Sequence, residues 1–90
     1  MNAPKRVVSE VGLDGATVFH SSREKVAFLL KNGLLLWVDF SDRKDLQNIP
    51  VREGECAWVY YAKHNNKIVS FMRDAGERIE DLPRIDSVEV

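Results

Sequence analysis

The apolar run at residues 34–40 limits the possible folds more than any other part of the chain. In an extended conformation, alternate side chains point to opposite faces. The even-numbered face is entirely apolar and consists of Leu34, Leu36, Val38 and Phe40. Leu35 and Trp37 make the other face apolar as well, as far as Asp39. The pattern predicts a strand that lies either inside a sheet or at an edge covered by a partner.

The size of the chain favours such a partner. A single domain of 90 residues buries only about 60–65% of the surface that its unfolded chain exposes. Its margin of stability is therefore thin, and oligomerisation is a common remedy at this length. We expect a homodimer on these grounds.

Residues 22–32 carry the pattern of a helix. The preceding Ser21 and Glu24 have the Ser-x-x-Glu spacing of a capping box. One helical stripe follows at positions i, i+3, i+4 and i+7, formed by Val26, Leu29, Leu30 and Gly33. Gly33 is placed to adopt a left-handed conformation just past the last turn. These signals predict one main helix over residues 22–32.

Two hairpins are predicted on either side of this segment. Asp14-Gly15 separates two extended runs and predicts paired strands at 6–13 and 16–20. Asn65-Asn66 suits a two-residue loop between strands at 56–63 and 67–73. That loop length sets the register so that Tyr60 faces Phe71, Ala62 faces Val69 and Trp58 faces Arg73.

The charge is distributed unevenly along the chain. The net charge is −1, but residues 74–90 contain six acidic and two basic side chains, which gives −4. Residues 1–73 therefore carry +3. We predict a domain over 1–73, with an acidic extension at 74–90 that forms a short helix or a strand-like tail. Between the hairpins, Leu46, Ile49 and Val51 are expected to dock residues 41–55 onto the core.

Together these elements predict an α+β domain. The order is ββαβββ, with a five-stranded sheet and the helix at 22–32 on one face. The sheet is expected to be mostly antiparallel. The helical link is also long enough for a right-handed crossover, so a mixed sheet is an alternative.

Few residues could carry catalysis. Cys56 is a possible nucleophile, with His20 and His64 the possible histidine bases. His64 follows Cys56 by eight residues along one predicted strand, about 26 Å away, which forbids a catalytic pair. We interpret Cys56 as a small buried core residue, His64 as a solvated turn residue and His20 as the residue that leads into the helix. The chain is expected not to be an enzyme.

Metal and cofactor sites are not expected either. Asp39, Asp42 and Asp45 recur every three residues, but the glycine and glutamate of an EF-hand loop are missing around them. The histidines and the cysteine lack the ligand spacing of zinc sites. Gly12-Leu13-Asp14-Gly15 matches no phosphate-binding loop.

The remaining hypothesis is that the chain is a small regulatory or adaptor module that acts through protein–protein contacts. Large aromatic side chains dominate such interfaces, and the candidate contact residues are Trp37, Trp58, Tyr60, Tyr61 and Met72. The alternative is nucleic-acid binding by the 56–73 hairpin, in which Lys63, Lys67 and Arg73 track phosphates beside aromatic rings that stack on bases. The acidic 74–90 segment competes with phosphates for these cations.

The sequence also allows a prediction of the cellular compartment. One cysteine, no secretory signal and no apolar run of about 18 residues together favour a cytoplasmic protein. A membrane partner is therefore not expected.

Overall fold

Six antiparallel strands form the fold. In the computed structural model, which describes residues 6–90, they are β1 (Val8–Ser21), β2 (Lys25–Leu30), β3 (Leu35–Asp39), β4 (Cys56–Ala62), β5 (Ile68–Arg73) and β6 (Ser87–Glu89). The strand order is β3-β2-β1-β4-β5, and β6 pairs with β1. The only helical turns in the described residues are two short 3-10 turns, Lys44–Leu46 and Ile79–Asp81.

The long strand β1 is paired along both of its edges. Glu10 accepts a hydrogen bond from the Lys63 amide just past β4, at 2.9 Å. The next residue, Val11, donates in the opposite direction to Asp86, just before β6, at 3.3 Å. Because successive residues of a strand point their backbone groups to opposite edges, β6 and β4 lie on opposite sides of β1.

The sheet curls around its core. Phe28 on β2 and Phe71 on β5 have ring centroids 4.8 Å apart, although two strands separate β2 from β5. In a flat sheet those strands would lie about 14 Å apart. The curl brings β3 and β5 into contact and encloses a core that includes Val18, Val26, Phe28, Leu36, Val59 and Phe71.

Residues 40–55 close one end of this core. Leu46 is buried, and Ile49 and Val51 pack against the core cluster, which agrees with the predicted docking of this segment. The Arg43 guanidinium donates to the carbonyls of Ile68 and Val69 on β5, at 2.8 and 2.9 Å. The connection thereby covers part of the outer edge of β5.

The predicted helix at 22–32 is wrong, because the segment contains β2. The amide of Ser21 donates to Glu53 instead of closing a capping box. Ser22 pairs with Lys25 through both its amide and its hydroxyl, which makes a tight turn. Gly33 does adopt a positive φ, of 94°, but it does so between two strands. The apolar run in residues 26–30 fits the period of a helix and also the two-residue alternation of a strand. Pairing with β1 and β3 favours the strand.

The predicted hairpin at Asp14-Gly15 is also wrong, since β1 runs straight through it. Gly15 is not among the residues with positive φ. The Asp14 carboxylate accepts hydrogen bonds from the amides of Gly15 and Asn32, at 2.9 and 3.2 Å. Asp14 therefore ties β1 to the β2–β3 turn and does not form a turn of its own.

The second hairpin is present, but its predicted register is wrong: it is off by two residues next to the loop and by one residue beyond an irregularity between Tyr60 and Tyr61. Val59 faces Phe71, Trp58 faces Met72 and Tyr61 faces Ile68. The loop is longer than expected, with Ala62 bonded to both Asn66 and Lys67. Only Asn66 has a positive φ, at 59°, whereas a two-residue type I′ loop needs two such residues.

The α+β class with an order of ββαβββ is therefore wrong: the sheet is purely antiparallel, and no main helix packs on it. The acidic 74–90 segment forms the second 3-10 turn and then β6. It packs on the sheet, where Leu82 is buried and the Tyr60 hydroxyl donates to the Pro83 carbonyl.

Two phenylalanines test this core. Phe28→Ala is expected to lower the free energy of unfolding by about 3–5 kcal/mol, because it leaves a cavity against Phe71. The matched Phe19→Ala change, at a side chain that is 56% exposed, should cost less than about 1 kcal/mol. Urea unfolding of both variants measures the difference, and equal losses would contradict this placement of the core.

Candidate functional site

The face of β1, β2 and β3 that points away from the core carries exposed apolar side chains. We call Phe19, Leu29, Leu35 and Trp37 the apolar patch; their exposed fractions are 56%, 43%, 42% and 47%. Leu29 pairs with Leu35 across β2 and β3. Contiguous exposed apolar surface of this kind is typical of interaction sites.

A bulge in β1 adds a second aromatic ring to this face. Val18 pairs with Phe28 on the core side, and His20 pairs with the outward-facing Ala27. Phe19 is therefore the extra residue of the bulge. Because Val18 points inward, both Phe19 and His20 are left on the outer face. Bulges re-aim side chains in this way and are often found near functional sites.

The rings around Trp37 contact one another. Phe19 meets Trp37 edge-on with centroids 6.5 Å apart, and His20 lies 5.5 Å from it. The ammonium of Lys25 sits 5.1 Å from the Trp37 ring centre, within the range of a cation–π interaction. Ala27 lies on β2 and pairs with His20 on one side and Trp37 on the other. It faces outward but is completely buried.

His20 has one charged neighbour. Its Nδ1 atom lies 3.7 Å from a carboxylate oxygen of Glu53, and the same oxygen accepts a hydrogen bond from the Ser21 amide. Its Nε2 atom is buried without a hydrogen-bond partner. His20 lies within β1, so its prediction as the residue that leads into a helix is wrong.

A shallow groove of about 300 Å³ continues from the patch across β1. Its floor is Gly15, and a Cβ atom there would lie 3.0 Å from the Lys31 side chain. The missing side chain lets Lys31 lie across the strand. The groove is lined by Thr17, Leu29, Lys31, Cys56, Trp58 and Asp74, among others.

Cys56 is exposed in this groove, so its prediction as a buried core residue is wrong. It pairs with Thr17 on β1, three residues before His20, which is about 10 Å along the strand. None of the groove-lining residues is a histidine. The groove thus places no histidine beside the thiol.

The predicted contact residues are distributed over several places. Trp37 is exposed in the apolar patch. Trp58 and Met72 are half-buried and pair with each other across β4 and β5. Tyr60 is buried at 2% exposure, beneath Pro83, and burial raises the pKa of its phenol. The half-buried Tyr61 covers Gly12 with its ring.

The predicted nucleic-acid residues are also separated. Lys63 and Lys67 lie at the tip of the β4–β5 hairpin, and Arg73 ends β5, roughly 20 Å away. Lys63 has Glu10 at 3.8 Å and Arg73 has Glu55 at 3.9 Å. His64 is exposed in the same loop, as predicted.

Sequence reasoning missed three members of the patch: Phe19, Leu29 and Leu35. Leu29 was assigned to the stripe of the wrong helix. Reading residues 25–30 as a strand would have placed it outward, since Val26, Phe28 and Leu30 then form the inner face. No sequence signal indicates the bulge that leaves Phe19 and His20 on one side.

Residues 6–90 contain no cluster of three or more histidine, cysteine, aspartate or glutamate side chains that could hold a metal ion. No helix in that range is long and apolar enough to cross a membrane. Comparison with protein families, curated proteins and solved structures gives no match. The geometry of the outer face therefore carries the functional argument.

The two tryptophans report on this face separately. In Trp58→Phe, the remaining Trp37 is expected to be quenched strongly by acrylamide, because 47% of it is exposed. In the matched Trp37→Phe variant, the half-buried Trp58 should be quenched less. Stern–Volmer slopes of the two folded variants measure this, and a steeper slope for Trp58 would contradict the exposed position of Trp37.

Proposed function

We propose that this chain is a small regulatory or adaptor module without enzymatic activity, which acts through protein–protein contacts and forms a homodimer. The observation that carries the proposal is the apolar patch. Four large apolar side chains on three adjacent strands lie between 42% and 56% exposed. Water contact at these positions is unfavourable by about 25 cal/mol per Å² of apolar surface, so a partner that covers them gains stability.

The patch has the anatomy of an interface centre. Trp37 is its largest residue, and tryptophan is enriched at binding hot spots. Polar groups surround it: Lys25 contacts its ring, and Asp39 pairs with Lys25 on the neighbouring strand. An apolar centre with a charged rim is the arrangement that protein interfaces use.

The nucleic-acid alternative has weaker support. Lys63 and Lys67 lie at the tip of the β4–β5 hairpin, whereas Arg73 lies at the other end of β5. Lys63 and Arg73 each form an ion pair with a carboxylate of the chain. A short oligonucleotide titrated at low salt distinguishes the two functions. If the chain binds nucleic acid, the oligonucleotide should bind at low salt, and its affinity should fall steeply as the salt concentration rises. If the chain acts through protein contacts, no such salt-sensitive binding is expected.

Trp37→Ser tests the proposed contact. The wild-type chain should sediment as a dimer at high concentration, and Trp37→Ser should shift the equilibrium towards monomer by about tenfold or more in Kd. Sedimentation velocity over a concentration series measures the change.

Ile79→Ser is the matched control. Ile79 is 51% exposed but lies in the second 3-10 turn, beside Leu13 and Leu82, so its loss should leave the dimer intact. A wild-type chain that stays strictly monomeric at millimolar concentration contradicts the homodimer. Equal effects of the two variants contradict the assignment of the contact to the patch.

A further inference from the structure

The turn between β2 and β3 contains the only Asn-Gly pair in the sequence, Asn32-Gly33. Both residues are exposed, and a Cβ atom placed on Gly33 would have nothing within 4 Å. The backbone nitrogen that follows an asparagine is a nucleophile placed close to the carboxamide of that asparagine. Glycine leaves this nitrogen open to approach, because it has no side chain. The turn therefore holds the one asparagine whose following residue offers no steric hindrance.

The turn also holds the side chain of Asn32 in position for this attack. Its Oδ1 atom accepts a hydrogen bond from the Leu34 amide, two residues further on, at 3.0 Å, so the side chain folds back over the Gly33 peptide. The same hydrogen bond draws electron density from Cγ and makes this carbon more electrophilic. The Gly33 amide donates to the Leu30 carbonyl at 3.0 Å. That hydrogen bond lies in an exposed turn, where local opening requires little free energy.

A hydroxyl group lies beside the nitrogen that would leave. Nδ2 of Asn32 donates to the Tyr61 hydroxyl at 3.3 Å. A tyrosine hydroxyl both accepts and donates hydrogen bonds, so the same oxygen supplies a proton when Nδ2 departs. An amide nitrogen leaves as ammonia only after it gains a proton, and a positioned proton donor accelerates such a step.

We infer that Asn32 is a site of spontaneous deamidation in the folded chain, with Tyr61 as the proton donor. The Gly33 nitrogen forms a bond to Cγ of Asn32, and the Cγ–Nδ2 bond breaks. Tyr61 protonates the departing nitrogen, which leaves as ammonia, and regains a proton from the Gly33 amide. Water then opens the cyclic imide. Opening at Cγ gives aspartate, whereas opening at the main-chain carbonyl carbon gives isoaspartate, so that one water enters and one ammonia leaves.

Deamidation changes the charge and the length of the turn. The backbone amide of Asn32 donates to the Asp14 carboxylate at 3.2 Å, so the product places a second carboxylate near an existing one. Isoaspartate also adds a carbon atom to the backbone of the turn that joins Leu29 to Leu35, which pair with each other. Both leucines belong to the apolar patch. The modification therefore alters the patch at one end, while the chemistry at Asn32 does not depend on the proposed function.

Asn65 is a matched control within the same chain. It is exposed, and its Oδ1 atom accepts a hydrogen bond from the Lys67 amide, two residues further on, at 3.0 Å. Asn32 makes the same side-chain turn at the same distance. Asn65 is followed by Asn66 instead of glycine. The comparison of the two sites thus isolates what glycine and Tyr61 contribute.

Ageing of the full chain at mildly alkaline pH and physiological temperature measures the reaction. Mass spectrometry of proteolytic peptides follows each asparagine, and chromatography separates the aspartate and isoaspartate products. Asn32 should deamidate about tenfold faster than Asn65 or more. Because the turn positions the reacting groups, the folded chain should react at least as fast at Asn32 as the chain unfolded in urea.

Two variants separate the contributions of glycine and tyrosine. Gly33→Asn matches the Asn65 site, and asparagine tolerates the positive φ of 94° at this position. Tyr61→Phe keeps the ring that covers Gly12 and removes only the hydroxyl. Gly33→Asn should slow deamidation at position 32 by about tenfold or more, and Tyr61→Phe by several-fold. Circular dichroism checks that both variants are folded.

The outcomes distinguish the parts of this inference. Faster reaction at Asn32 than at Asn65, slowed in both variants, supports it. Equal rates at the two asparagines, or a faster reaction in urea than in the folded chain, overturn it. An unchanged rate in Tyr61→Phe overturns the role of Tyr61 as proton donor. None of these results changes the dimer Kd by which Trp37→Ser tests the proposed function, so the two can fail separately.

Discussion

The whole sheet depends on the pairing of β1 along both edges. Its 14 residues hold β2 and β6 on one side and β4 on the other, so every other strand except the two outermost bonds to it directly. A turn at Asp14-Gly15 would have divided this support into two short strands. The two glycines of β1 leave room for neighbouring side chains to lie directly against the strand. The Tyr61 ring covers Gly12, and the Lys31 side chain lies across Gly15. The continuous β1 lets the sheet curl around Phe28 and Phe71 without a helix.

The parts of the fold that sequence predicts well are those where only one periodicity fits. The strand at 34–40 and the hairpin at 56–73 alternate or are too short for a helix, and both are present. The helix predicted at residues 22–32 is wrong because the apolar run fits both the helical and the strand period. In addition, Ser21 and Glu24 have the spacing of a helix capping box. The predicted hairpin register is wrong because only Asn66 of the two asparagines adopts a positive φ, and because the pairing shifts by one residue between Tyr60 and Tyr61.

The candidate site was predictable to a smaller extent. Trp37 could be placed outward, since its even-numbered neighbours form an unbroken apolar face. Phe19 could not, because its position depends on a bulge set by how β1 shares its length between β2 and β4. Tyr60 could not be placed either, because it is buried beneath the acidic segment, which the sequence predicted to be an extension from the domain. An interface made from several strands is a property of their alignment, and a single sequence specifies that alignment only weakly.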